Sequence, residues 1–142
     1  GRNLVSVGLR KSVREEVAKP KDEWSLLPYG TIQYFLVPNG LVVHQVDHVE
    51  VWTVEPLGVG RVRTTTAIYA PTPPATDKAR NYFVKNLDLL EQVTSTEDFP
   101  VMERIYANLA SGALPELVYG RLEQPLIHFH TQINNAYAAA TT

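Results

Sequence analysis

From residue 31 the sequence alternates with a period of two, and short turn signals cut it into pieces that fit only as hairpin strands. Residues 31–37 (Thr-Ile-Gln-Tyr-Phe-Leu-Val) are rich in β-branched and aromatic side chains. Pro38-Asn39-Gly40 is a turn signal, and residues 41–46 resume as strand. Asp47-His48 predicts a tight connection or a bulge. Residues 49–54 alternate Val49, Val51 and Thr53 against Glu50, Trp52 and Val54. The run 55–60 (Glu-Pro-Leu-Gly-Val-Gly) reads as a second turn, and 61–70 as a further strand. Three or four strands joined this tightly make an antiparallel meander. Residues 3–9 suit one more short strand. The charged run 10–23, broken by Lys19-Pro20-Lys21, predicts a solvated loop or edge. Trp24, Leu26 and Leu27 after it are expected to pack inward.

Pro71-Thr72-Pro73-Pro74 ends the strands, and the period changes. Ala79, Tyr82, Phe83, Asn86, Leu87, Leu90 and Val93 give one face of a helix over 76–93, with Thr76 as its cap. Thr94-Ser95-Thr96 is expected to break and re-cap the chain. A second helix then runs to about residue 111, where Gly112 suits the C-terminus. Pro100 falls in its first turn. The loop 114–120 leads to a last helix over 122–139, with Leu126, Phe129, Ile133 and Tyr137 on one face. Strands first and helices after is the α+β order: an antiparallel β-sheet meander packed against C-terminal helices. A sheet curved around long helices encloses an apolar cavity, which suits a small-molecule site.

Asp98 is the residue out of place. On the helical wheel of 96–109 it aligns with Met102, Ile105 and Leu109, inside the apolar stripe, while Glu97, Glu103 and Arg104 fall away from it. An inward carboxylate needs a compensating partner. The helix dipole, a basic side chain or a metal ion each supply one. Glu97 and Asp98 are adjacent, so they project to different sides and form no catalytic pair.

Composition excludes much of the rest. The 142 residues suit one domain; the net charge is −2 and no basic patch stands out, which disfavours nucleic acid. No apolar run reaches membrane-spanning length, and the start lacks signal-peptide blocks. With no cysteine there is no disulfide, Cys-based zinc site or Cys-ligated cluster within the chain, in keeping with a cytoplasmic protein. No initiator Met opens the chain, which reads as a fragment of something longer. His44 and His48 lie four apart but in strand-like sequence, so the spacing that would pair them on a helix does not apply. His128 and His130, two apart on a helix, point about 200° apart and share a metal poorly. No nucleophile signature or phosphate loop occurs, and Gly58-Val59-Gly60 is too short for one.

Three stretches carry a likeness. They are Phe35-Leu36-Val37-Pro38-Asn39-Gly40-Leu41, Glu97-Asp98-Phe99-Pro100-Val101-Met102-Glu103, and Tyr119-Gly120-Arg121-Leu122-Glu123 with Phe129-His130. Together, from about residue 24 onward, the chain resembles the C-terminal part of the catalytic domain of the alpha subunit of Rieske non-haem iron ring-hydroxylating oxygenases. The Asp98 stretch is the most specific. The resemblance implies part of a helix-grip fold and an enzyme that hydroxylates an aromatic or other apolar substrate with dioxygen. It implies Fe(2+) held by two His and one carboxylate, with positions left open. Asp98 matches the carboxylate. The family's Asp-x-x-His-x-x-x-x-His segment is absent here, as are the ligands of the Rieske 2Fe-2S cluster. On this reading residues 1–142 are a single domain, a piece of a larger catalytic domain. Its partners would be a reductase or ferredoxin electron donor and other subunits of a homo- or hetero-oligomer. Two further readings stay open: a metal-free helix-grip module binding an apolar small molecule, and an assembly role.

Overall fold

The computed structural model describes residues 1–25 and 27–141. Five strands form one antiparallel sheet in chain order, β1 (Leu4–Leu9), β2 (Gly30–Leu36), β3 (Gly40–His44), β4 (Val49–Gly58) and β5 (Arg61–Tyr69). The α+β meander read from the alternation is therefore present, extended by β1. Registers such as Leu41 opposite Trp52 and Val43 opposite Glu50 put Phe35, Leu41, Val43, Glu50, Trp52, Thr66 and Ile68 on one face. Val5, Val7, Leu9, Tyr34 and Leu36 share the other face and are exposed. The Pro38-Asn39 turn between β2 and β3 is tied to β4: Asn39 Nδ2 donates to the Val54 carbonyl at 3.0 Å and Val54 N–H to the Asn39 carbonyl at 2.9 Å.

The second turn is shorter than the sequence suggests. β4 runs on through Glu55 and Pro56, with a register shift between Pro56 and Gly58. Bulges let a strand carry a proline without losing its ladder. Only Val59 and Gly60 separate β4 from β5, and Gly60 has φ +69°.

The charged run is not simply a loop. It holds a short helix, α1 (Val13–Glu16), and Glu16 is 1% exposed. Its carboxylate accepts from Lys19 Nζ at 2.7 Å and from the Ser25 amide at 2.6 Å. Those bonds, Lys19 first, hold the carboxyl below its ordinary pKa. Trp24 and Leu27 do not pack inward: they are 37% and 52% exposed. Leu26 lies outside the described residues.

Three longer helices follow: α2 (Asp77–Val93), α3 (Phe99–Ala110) and α4 (Gln124–Thr141). Thr76 caps α2 as the sequence predicts, accepting from Ala79 N–H at 3.2 Å. Thr76→Ala is expected to cost about 1 kcal/mol, the usual value of such a cap, read as a lower thermal midpoint. Ser111 and Gly112, the latter at φ +77°, close α3. Between α2 and α3 the chain neither breaks nor re-caps. Thr94–Asp98 forms a π-helical turn, and the helix continues through it. The Thr96 hydroxyl donates back to the Gln92 carbonyl at 2.8 Å instead of capping forward. α2 lies against β5 and α4 against β1. No helix among the described residues is long and apolar enough to cross a membrane.

Candidate functional site

Two clefts flank α2 in place of the enclosed cavity expected from the sequence. One, of about 340 Å³, lies between the end of β5 and the start of α2, against Ile68, Tyr69, Pro73, Phe83 and Val84. The larger, of about 610 Å³, runs along α2 from Tyr82 and Asn86 to Leu89, Leu90 and Val93. The β3–β4 connection forms its other wall, with Gln45, Asp47, His48 and Glu50. Half of the Tyr82 side chain and 58% of Leu89 face solvent, so the cleft is open.

Its polar wall is a connected network. Tyr82 OH donates to Asp47 Oδ2 at 2.6 Å, and Asp47 Oδ1 lies 2.8 Å from His48 Nδ1. His48 Nε2 faces Glu50 Oε1 at 3.6 Å. Glu50 is buried and accepts from Gln45 Nε2 at 2.9 Å and Trp52 Nε1 at 3.0 Å; Thr31 Oγ1 donates to Gln45 Oε1. Sequence reasoning missed this group. The available signal was Glu50 standing in phase with Trp52 and Val54, a charge within an apolar row.

The Tyr82 hydroxyl, and after it His48, holds the Asp47 carboxyl below its ordinary pKa, while the same bond raises the Tyr82 phenol. A depressed carboxyl stabilises the fold above its unfolded value, and that stability is lost as pH falls through the lowered one. Asp47→Asn should therefore lower the thermal midpoint at neutral pH, where the carboxylate's contribution is fully present, and narrow its difference from the unaltered protein as pH falls below about 4.

The other histidines sit apart. His44 ends β3 with its Nδ1 buried and unpartnered, and His128 on α4 has its Nε2 in the same condition. His130 is exposed beside Tyr119, with ring centroids 5.7 Å apart. Among the described residues no three His, Asp or Glu come together as a metal site.

Asp98 is not turned inward. It is exposed, and so are Met102, Ile105 and Leu109 of its stripe, at 60%, 40% and 37%. α3 continues directly from the π-helical turn, and its Tyr106 ring lies against Gly60 at the β4–β5 tip, but nothing among the described residues buries the stripe. An exposed carboxylate needs no compensating cation, so the burial argument for a metal at Asp98 does not hold in this chain. Asp98 has no side-chain cap hydrogen bond to α3 either, so helix capping does not occupy its oxygens.

No curated protein and no solved structure gives a significant match. A sequence model of the ring-hydroxylating alpha subunit (catalytic domain) matches residues 8–139, nearly the whole chain and more than the stretch from residue 24. The chain belongs to the family of ring-hydroxylating alpha-subunit catalytic domains.

Proposed function

We propose that this chain is part of an oxygenase that hydroxylates an aromatic or apolar substrate with dioxygen at a mononuclear non-haem iron, with Asp98 as the carboxylate ligand. The observation that carries the reading is the family match across the chain, together with an acidic stretch, 97–103, that resembles the family's ligand helix. Ferrous iron on two His and one carboxylate supplies dioxygen activation beside the substrate. The donor set here fits one share of that site: a carboxylate whose oxygens cap no helix. His44, His48, His128 and His130 do not complete it, since no three-donor group forms among the described residues. We therefore assign the two His ligands and the Rieske cluster to parts of the protein outside these residues, and the electrons to a reductase or ferredoxin.

What the chain itself does is shape and hold. α2 and the β3–β4 connection form two walls of the larger cleft, apolar at Leu89, Leu90 and Val93 and polar at Tyr82 and Asn86. Tyr82 and Asp47 fasten one wall to the other. The exposed stripe of α3 and the exposed sheet face are surfaces for the remainder of the catalytic domain and for neighbouring subunits.

The test is isotopic. The full-length protein with a reductase and an aromatic substrate should place label from ¹⁸O₂ in a hydroxylated product. Turnover that needs no dioxygen, or an apolar compound bound tightly and released unchanged by a protein free of iron, would favour the metal-free binding module.

A further inference from the structure

We propose that the uncovered face of the sheet is where two copies of this chain meet, packed face to face about a two-fold axis at the middle of β3. Such a dimer is independent of the oxygenase reading.

The pairing registers lay this face out in rows that cross all five strands. One row is Val5, Tyr34, Val42, Val51 and Ala67, and the next is Val7, Ile32, His44, Val49 and Tyr69. None of these side chains is buried. Only His44 among them can carry a charge near neutral pH. Further along the face, Glu55 and Arg63 stand opposite each other on β4 and β5 and pair at 3.0 Å. α2 lies on the other side of the sheet, where Glu50 and Ile68 line its clefts. α4 runs against β1 yet leaves Val5, Val7 and Leu9 each more than half exposed.

A second copy fits this face for three reasons. The first is charge: the two rows hold no carboxylate, ammonium or guanidinium, so the face meets its own copy without repulsion. The second is symmetry. β3 is the middle strand of five, so a two-fold axis lying in the face at β3 lays the whole face over its copy. Sheets stack in this way about 10 Å apart, with strands crossing at about 30°. Val42 and His44 then meet their own counterparts at the centre. The third is size. Five strands about 4.8 Å apart and about 20 Å of strand give roughly 480 Å² of flat face per copy, before side-chain relief is counted. Two copies reach about 1,000 Å², the level of a specific interface. Tyr34 and Tyr69, 40% and 59% exposed, are the kind of aromatic anchor that carries such contacts.

In the full-length protein, sedimentation velocity over a concentration series should resolve a dimer step, and the thermal midpoint should rise with concentration. Tyr34→Glu should weaken the dimer by about 100-fold or more, because each dimer would bury two unpaired carboxylates. Its midpoint should equal that of the diluted unaltered protein, since residue 34 faces water in the single chain. Val7→Glu, on β1, should act alike and decides the matter where Tyr34→Glu does not fold. Val42→Cys should be joined to its copy by a short bis-maleimide. Val59→Cys, 96% exposed at the β4–β5 tip and off this face, should not.

A protein that is monomeric at every concentration, or a mass unmoved by either glutamate, overturns the proposal. So does a Tyr34→Glu midpoint that falls equally at every dilution with no change in mass, which would mean that another part of the same chain covers the face. Release of a different subunit while the two copies stay joined overturns it as well.

Discussion

Purified alone, these 142 residues are expected to hold no stoichiometric iron, to turn over no aromatic substrate and to bind a hydrophobic dye strongly. The first two outcomes follow from the donor inventory. A single carboxylate cannot hold ferrous iron tightly, and no three-donor group forms among the described residues. The third follows from packing. Val43, 5% exposed, is the one buried hydrophobic side chain among those described. Val5, Val7, Leu9, Tyr34 and Leu36 together make an exposed apolar face, and α3 bares Val101, Met102, Ile105 and Tyr106. Contiguous apolar surface of this kind is covered in a working protein. The check is metal analysis, a turnover assay with an electron donor, and dye fluorescence on one preparation. One tightly bound iron per chain would put the whole ligand set inside these residues and contradict the assignment.

The second large effect is at the tip of the β4–β5 hairpin. Gly60→Val should cost about 2–4 kcal/mol, because two penalties coincide. Gly60 has φ +69°, a left-handed conformation that a β-branched residue adopts only under strain. A Cβ there would also run into the Tyr106 ring, so the side chain that docks α3 on the hairpin must move. For a chain of this size the expected fall in thermal midpoint is roughly 10 °C. Gly60→Val combined with Tyr106→Ala separates the terms: the collision is relieved and the backbone strain remains. An unchanged midpoint in Gly60→Val would show that α3 does not rest on the hairpin.

Much of this fold is legible in the sequence because its signals are local. Alternation with turn residues between runs gives the meander, and Thr76 and Gly112 mark helix ends that the coordinates share. What was not legible depends on partners distant in sequence. Glu16 is buried because Lys19 and the Ser25 amide meet its carboxylate, which a charged run does not reveal. The Asp47–Tyr82 bond joins residues 35 apart in sequence. Thr94-Ser95-Thr96 looks like a break because these residues favour caps, yet their hydroxyls bond back to carbonyls of the preceding turn and the helix continues. The wheel aligned Asp98 with the apolar stripe of Met102, Ile105 and Leu109 and took that stripe as buried. It misjudged the burial, because periodicity shows which side is apolar and not whether this chain covers it.

The most direct measurement is the iron content of the full-length protein with Asp98→Ala against the unaltered protein, each at matched folding by circular dichroism. The account predicts that iron affinity falls by more than about 100-fold, beyond the upper range for a partner that only orients a ligand, and that oxygenation falls with it. Full iron occupancy and normal turnover in the Asp98→Ala protein would contradict it.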